Sequence, residues 1–264
     1  MAKIAVIGCG GTGSYLLPIL LRSVSSSSSI VLFDGDSFTK ENLDRQLFRP
    51  DLVGINKAKA MEMMYPDPRL TVKPDFLRSP GELKEFDLAI ACPDNHIARS
   101  RVLSAADEFE FPAVICGNEY NSSSAMMYLP EWKDTPMDPR IRYPEILTDR
   151  TGSPVDLSCT GEAAESSPQL ALANNTSAVF AIQLIHFWFN VVDEDLSTDE
   201  DAKKKFPVEQ SWVPCKLTTL TVESVQLDHA YHLTLKKSEK KDGENKESSS
   251  SGDLDNPPED SSAS

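Results

Sequence analysis

The sequence predicts an α/β fold built on a mostly parallel sheet with helices on both faces, and three observations support this prediction. Short apolar runs alternate with helical patterns over residues 3–116, which is typical of βαβ units. A glycine-rich turn, Gly8–Ser14, separates the first apolar run from the first helical pattern. The regular alternation ends after Gly117, and a predicted strand and a predicted hairpin indicate antiparallel strands that extend the sheet.

The first part of the chain alternates regularly between the two element types. Strands are predicted at Lys3–Ile7, Ile30–Phe33, Leu70–Val72, Asp87–Cys92 and Ala113–Cys116. Helices are predicted at Ser14–Leu21, Val53–Tyr65 and Ile97–Glu108. The serines Ser25–Ser29 predict a loop between the first helix and the second strand.

The second part is less regular. It predicts a strand at Ser123–Tyr128, a loop over Pro130–Pro154, a long helix at Gln169–Val191, a charged connector at Asp193–Lys205, and a hairpin of Lys216–Val222 with Gln226–Leu235. From Lys236 to Ser264 only Leu254 and Ala263 are apolar, so this acidic tail is expected to be disordered. The expected organisation is one domain over residues 1–235 and a tail over residues 236–264.

Composition excludes several classes of function. The 264 residues carry 26 basic and 41 acidic side chains, and the net charge of −15 argues against nucleic-acid and anionic membrane partners. No apolar run reaches the roughly 18 residues of a transmembrane helix. The five cysteines are scattered and form no C-x-x-C pair, which argues against structural zinc and fits a reducing, cytoplasmic location.

The glycine-rich turn is the first chemistry-bearing motif. Glycines let the backbone of Gly8–Ser14 approach a phosphate closely, and the following helix N-terminus offers free N–H groups to an anion. Asp34 ends the next strand about 20 residues later, where a carboxylate can accept hydrogen bonds from ribose hydroxyls. No Lys-Ser/Thr follows the last glycine, so the turn is not a Walker P-loop. Taken alone, these features are also compatible with a dinucleotide-dependent oxidoreductase.

Four further segments help to distinguish among the kinds of nucleotide-binding protein that the glycine-rich turn allows. Asp34-Gly35-Asp36 leads into Glu41–Gln46, Val53–Lys57 follows, and Ala91–Arg99 comes after the fourth strand. This ordered set resembles the ThiF/MoeB/ubiquitin-activating-enzyme family of adenylyltransferases over residues 3 to 190. The resemblance implies a Rossmann-like fold and ATP-dependent activation of the C-terminal carboxylate of a ubiquitin-like or sulfur-carrier protein. It also implies that Asp34 contacts the ribose, that Arg45 and Lys57 contact phosphate, and that Asp94 holds Mg²⁺.

The residue chemistry agrees with this implication. Adenylation joins two anions, a carboxylate and ATP, so the site needs cations rather than a general base. Arg45 and Lys57 can neutralise the polyphosphate, Gln46 or Asn42 can hydrogen-bond it, and a strand-end carboxylate suits Mg²⁺. The candidate nucleotide-binding residues are therefore Gly8, Gly10, Gly11, Gly13, Asp34, Asp36, Asn42, Arg45, Gln46 and Lys57, and the candidate metal ligand is Asp94.

Each assignment has a plainer alternative. Asp36 could have a purely structural role, and Asp94-Asn95 could simply cap the next helix. Lys59 lies two residues after Lys57 and is a second candidate for the phosphate-binding lysine, so we call it the decoy. Arg99 is expected to face solvent or the helix surface. Asn174 stands out only as part of a glycosylation sequon, which has no meaning without secretion.

Cys159 is the candidate acceptor thiol. In relatives, a cysteine just before the long apolar helix carries the activated protein as a thioester or receives sulfur, and Cys159 matches that position. Glu162 and Glu165 would raise the pKa of its thiol, so an idle cysteine is an equal alternative. Cys92 and Cys116 are expected to be packing residues.

One departure from the family keeps an alternative function open. Relatives carry an N-terminal extension that supplies an arginine to the partner subunit of a dimer, whereas the first strand here begins near residue 3. This departure weakens the case for an ordinary homodimeric active site, and both a homodimer and a heterodimer stay open. The alternative to an active enzyme is a catalytically weak subunit that serves as a binding partner in a larger system.

Overall fold

A central sheet organises the computed structural model, which describes residues 2–118, 122–150, 170–192, 205–213 and 216–223. Its strands are β1 (Lys3–Ile7), β2 (Ser29–Phe33), β3 (Leu70–Lys73), β4 (Leu88–Ala91), β5 (Ala113–Asn118), β6 (Ser123–Tyr128), β7 (Lys205–Val213) and β8 (Lys216–Glu223). Within these residues the strand order is β3-β2-β1-β4-β5-β6-β7-β8. The first five strands in this order are parallel, and β6, β7 and β8 pair antiparallel. The predicted α/β fold with an antiparallel extension is confirmed.

Helices connect the strands and cover the sheet. They are α1 (Gly11–Ser23), α2 (Lys57–Met64), α3 (His96–Phe109), α4 (Pro139–Arg142), α5 (Glu145–Thr148) and α6 (Ala171–Val192). The β1–α1–β2 and β4–α3–β5 crossovers step in opposite directions along the sheet. Because such crossovers are right-handed, α1 and α3 lie on opposite faces. Helix α6 packs against α1 and against β5 and β6.

The central strands are apolar along their whole length because both faces of the sheet are covered. Every residue of β4, and every residue of β1 after Lys3, is buried. β1 and β4 are neighbours, yet the chain leaves them in opposite directions. Their carboxyl ends therefore flank the crevice where open α/β sheets bind ligands.

Three predicted elements differ from the structure. Helix α2 begins at Lys57 rather than Val53, because Pro50–Leu52 forms a short 3-10 helix and Asn56 caps α2 by accepting from the N–H of Lys59 at 3.2 Å. The segment predicted as loop from Pro130 contains the short helices α4 and α5.

The third difference concerns the pairing of β8 (Lys216–Glu223). The sequence predicts a later segment as its hairpin partner, whereas the structure pairs it with β7 (Lys205–Val213). Pro207 and a register irregularity beside it hide the strand character of β7 in the sequence. The predicted partner 226–235, the domain boundary at 235 and the tail 236–264 lie outside the described residues. Among the described helices, none is both long and apolar enough to span a bilayer.

Candidate nucleotide-binding site

The glycine loop between β1 and α1 is shaped by close backbone approaches. Gly8 has a φ of +92°, and a Cβ at this position would lie 2.8 Å from the carbonyl oxygen of Cys92. A Cβ at Gly13 would lie 2.1 Å from the carbonyl oxygen of Gly8. Only glycine therefore allows the loop to fold back on itself beside the end of β4. At Gly10 the nearest neighbour of such a Cβ is the side chain of Gln46 at 3.5 Å, so this part of the loop is more open.

Asp34 ties the glycine loop to the end of β2. Its buried carboxylate accepts a hydrogen bond from the backbone N–H of Cys9 at 2.7 Å and another from the backbone N–H of Asp36 at 2.8 Å. Burial raises the pKa of Asp34 to about 6, although Lys57 and the two N–H donors act in the opposite direction. A carboxylate has about four acceptor positions, so Asp34 keeps capacity for a ribose hydroxyl.

The raised pKa of Asp34 gives a testable pH dependence of stability. An unfolded aspartate titrates near pH 3.9, so between about pH 4 and pH 6 the native chain binds more protons than the unfolded chain. The contribution of Asp34 to the free energy of unfolding therefore falls as the pH rises through this window. Relative to Asp34→Asn, the parent should lose about 2 kcal/mol between pH 4 and pH 7, because two pKa units correspond to about 1.4 kcal/mol each and the unfolded aspartate is already half ionised at pH 4. Urea unfolding of both proteins at pH 4 and pH 7 measures this, and a pH-independent difference would contradict the assignment.

Lys57 is a mostly buried cation surrounded by carboxylates. Its side chain is 12% exposed, and its Nζ lies 3.1 Å from Oδ2 of Asp36. Burial lowers the pKa of Lys57, but the charges of Asp34 and Asp36, the hydrogen bond to Asp36 and the charge of Asp94 outweigh this effect and raise it overall. Lys57 is therefore protonated and stands between the ends of β2 and β4. The decoy Lys59 is exposed.

In the Asp94-Asn95 pair, Asn95 caps the next helix and Asp94 is exposed to solvent. Asn95 is buried and caps α3 by accepting from the N–H of Ala98 at 2.8 Å. Asp94 is exposed beyond the end of β4 and is close enough to Lys57 to raise its pKa. The cap therefore leaves the Asp94 carboxylate available to a ligand. The expectation that Arg99 faces solvent or the helix surface holds only in part, because its side chain is half-buried, its Nε is buried, and its Nη2 donates to the carbonyl of Pro93 at 3.1 Å.

The segment from Asn42 to Gln46 lies beside the glycine loop, with the side chain of Gln46 next to Gly10. Asn42 is buried and accepts from the N–H of Thr39 at 3.1 Å, so its side-chain oxygen caps a short 3-10 helix. Nη1 of Arg45 donates to the carbonyl of Glu41 at 2.6 Å. The Oε1 of Gln46 is buried and has no hydrogen-bond partner within the described part of the chain.

The structure thus brings most of the predicted residues to one edge of the sheet. Asp34, Asp36, Lys57 and Asp94 form one charged group, and Gln46 lies beside the glycine loop. Cys159 lies outside the described residues. Among the described residues, no group of three or more His, Cys, Asp or Glu side chains is arranged as a metal cluster.

Sequence reasoning missed two asparagines of the site. Asn56 donates to the carbonyl oxygens of Asp34 at 2.8 Å and Asp36 at 3.0 Å, so it positions the carboxylates that surround Lys57. Its place directly before a helix was an available signal, because asparagine is a favoured N-cap. Asn174 is fully buried beside Gly11, and nothing in the local sequence predicts this long-range contact.

Comparisons with known proteins place the chain in a family. It matches the ThiF family model over residues 1–248. Over 40% of its length it is similar to ubiquitin-like modifier-activating enzyme 5 of Aedes aegypti (32% identity over 125 residues) and of Oryza sativa subsp. japonica (34% over 126 residues). These matches cover 31% and 30% of the two relatives, so the chain spans about a third of the length of the curated proteins it matches.

Solved structures share the fold. E. coli MccB with ATP matches at a TM-score of 0.58 and 17% identity, over 84% of this chain and 63% of that one. MccB with AMPCPP and MccA matches at a TM-score of 0.57 and 18% identity, over 86% and 65%. At these identities the likeness concerns the fold. Because the ThiF family match extends over most of the sequence, the chain belongs to the ThiF family.

Proposed function

We propose that this chain binds ATP with Mg²⁺ and adenylates the C-terminal carboxylate of a ubiquitin-like or sulfur-carrier protein. The observation that carries the proposal is the mostly buried Lys57, held by Asp34 and Asp36 beside the glycine loop. Membership of the ThiF family and similarity to ubiquitin-like modifier-activating enzymes support the reaction class. The presence of ATP in a structural relative, MccB, supports the choice of nucleotide.

The geometry suits a nucleotide. The loop is open at Gly10, where the amide end of Gln46 lies nearby with its buried oxygen unpartnered within the described residues. An amide end can donate to a phosphate oxygen or accept from a hydroxyl. Asp94 is exposed, and Mg²⁺ usually binds through one or two carboxylates together with substrate phosphates, so no larger acidic cluster is needed. The residues present therefore fit ATP and a magnesium ion.

The chain's own groups act by positioning and by charge. In the reaction a carboxylate oxygen of the carrier protein bonds to the α-phosphorus of ATP, and the bond to pyrophosphate breaks. Lys57 neutralises charge on the polyphosphate, because its pKa keeps it protonated and its neighbours hold it in place. Asp34 accepts a hydrogen bond from a ribose hydroxyl, and Arg45 contacts phosphate from the segment that lies beside the glycine loop. Mg²⁺ bound at Asp94 would add positive charge at the phosphate oxygens.

Pyrophosphate exchange tests the proposal. Labelled pyrophosphate should enter ATP only when the chain, Mg²⁺ and a ubiquitin-like protein with a free C-terminal Gly-Gly are all present. The same protein with an amidated C-terminus is the matched control, because it lacks the reacting carboxylate. No exchange with any carrier, in a chain that binds ATP, would contradict adenylation and favour the binding-subunit alternative.

Cys159 is proposed as the acceptor in a subsequent transfer step. Adenylation needs only the charged site, whereas a thioester needs a sulfur nucleophile, because the cysteine thiolate attacks the acyl carbon of the carrier adenylate and AMP leaves. Cys159→Ala should therefore still exchange pyrophosphate but should lose any reductant-sensitive conjugate with the carrier on a non-reducing gel. A conjugate that survives in Cys159→Ala would exclude this cysteine as the acceptor.

A further inference from the structure

Asn174, in the first turns of α6, connects three segments of the nucleotide site. Its side chain is fully buried, and its Nδ2 donates to the carbonyl oxygen of Arg45 at 3.0 Å. Its Oδ1 accepts from Nδ2 of Asn118, at the end of β5. The same Asn118 nitrogen lies 3.1 Å from Oγ1 of Thr12 in the glycine loop region. One amide group therefore links α6 to the Arg45 segment directly and to the start of α1 through Asn118.

The amide of Asn174 also explains why position 11 is a glycine. A Cβ at Gly11 would lie 2.5 Å from Oδ1 of Asn174, and the other two atoms of the amide would be almost as close. Real Cβ atoms do not approach other atoms at this distance, so a larger residue at position 11 would force the fully buried Asn174 side chain or the loop to shift. The amide thus rests directly against the backbone of the loop that faces the nucleotide.

Anchoring of α6 does not require Asn174. Further along the helix, the buried Ser177 donates through its Oγ to the carbonyl of Ser124 at 2.8 Å. Ser123 donates through its Oγ to the carbonyl of Ala173, also at 2.8 Å. These two bonds join α6 to β6 without using the side chain of Asn174, so the helix keeps polar anchors when that side chain is truncated.

We propose that Asn174 is a positioning residue that sets the spacing between the glycine loop and Arg45 and thereby the affinity for ATP. This inference rests on the proposed function, because it assumes that ATP occupies the loop. Asn174 does not itself contact the nucleotide. It holds the carbonyl of Arg45 and the first residue of α1 at a fixed separation, and this prearranged spacing lowers the ordering that binding would otherwise require.

Titration calorimetry with ATP and MgCl₂ tests the role of Asn174. Asn174→Ala should raise the Kd for ATP by about tenfold, because ATP binding must then order the segments that the buried hydrogen bonds of Asn174 hold in the parent. Ser177→Ala is the matched control, because it removes a comparable buried hydrogen bond from the same helix and should leave the Kd for ATP within about twofold. The exposed neighbour variant Asn175→Ala should bind ATP as the parent does. Equal losses in Asn174→Ala and Ser177→Ala would show a merely structural role and overturn the proposal.

A double-mutant cycle with Gly11→Ala tests the contact itself. Gly11→Ala should weaken ATP binding strongly in the parent, because the new methyl group meets the Asn174 amide. In the Asn174→Ala background the same change should weaken binding much less, because the amide atoms are gone. Additive effects would overturn the proposal.

Asn118→Ala provides a second test if Asn174→Ala does not fold. This variant keeps Asn174 and removes its hydrogen-bond partner, so it should also raise the Kd for ATP. An unchanged Kd would overturn the proposal. A parent chain that binds no ATP would instead contradict the proposed function, so the two failures are distinguishable.

Discussion

Lys57→Met is expected to abolish pyrophosphate exchange and to weaken ATP binding severely. The Lys57 ammonium is a mostly buried cation at the sheet edge, and its neighbours Asp34, Asp36 and Asp94 are all acidic. Without it, the carboxylates of Asp34, Asp36 and Asp94 would face ATP with no cation between them. We expect exchange to fall by at least about a hundredfold, which is the scale on which removal of one preorganised electrostatic contact acts. Methionine keeps the length and apolar stem of the side chain, so the change isolates the charge.

Lys59→Met is the matched control for this experiment. Lys59 lies two residues further along α2, is exposed, and contributes only its backbone N–H to the Asn56 cap, which the substitution leaves in place. The control should exchange pyrophosphate at the rate of the parent. Exchange at the parent rate in Lys57→Met, with a carrier that supports exchange in the parent, would show that the charge at position 57 has no part in the reaction.

Arg140→Met is expected to destabilise the fold strongly, because it removes the centre of a mostly buried charge network. The Arg140 side chain is 12% exposed and donates through Nη1 to Asp107 at 2.7 Å and through Nη2 to Asp138 at 2.8 Å. A further bond from Nη2 reaches the hydroxyl of Tyr128 at 2.7 Å. One guanidinium therefore holds α3, the start of α4 and β6 together.

The expected loss in the free energy of unfolding is about 3 kcal/mol, because Asp107 and Asp138 lose their guanidinium partner and, within the described residues, keep only Lys133, the Tyr128 hydroxyl and backbone N–H donors. Arg140→Lys should recover only part of the loss, since an ammonium cannot reproduce the planar set of donors. Arg49→Met, which breaks the exposed ion pair with Asp51, should change stability by less than about 1 kcal/mol. Urea unfolding measures all three variants, and equal losses in Arg140→Met and Arg49→Met would contradict the interpretation of this network.

The part of the site that is local in sequence was predictable. The glycine loop and Asp34 follow consecutive strands, so the alternation of strands and helices alone places them at one sheet edge. The resemblance to a family then separates Lys57 from its decoy Lys59. The burial of Lys57 agrees with that choice, but its role stays a prediction.

The long-range part of the site was not predictable. Asn174 and Arg45 are 129 residues apart, and a single sequence contains no signal for a contact at that distance. Its helix is hydrophobic and periodic, which predicts α6 but not that one of its asparagines would reach the glycine loop. The prediction for Arg99 holds only in part for a similar reason, because its Nη2 can donate to the carbonyl of Pro93 only once β4 and α3 are packed.

Calorimetry that compares ATP with NAD tests the central claim most directly. A site built around the mostly buried Lys57 beside an open glycine loop should bind ATP in the presence of MgCl₂, and Lys57→Met should lose this binding. NAD should bind more weakly than ATP, because it carries a pyrophosphate bridge with less negative charge than a triphosphate. ATP binding that exceeds NAD binding and depends on Lys57 is the result we predict. NAD binding tighter than ATP binding, or ATP binding unchanged in Lys57→Met, would contradict the assignment of this site to adenylation.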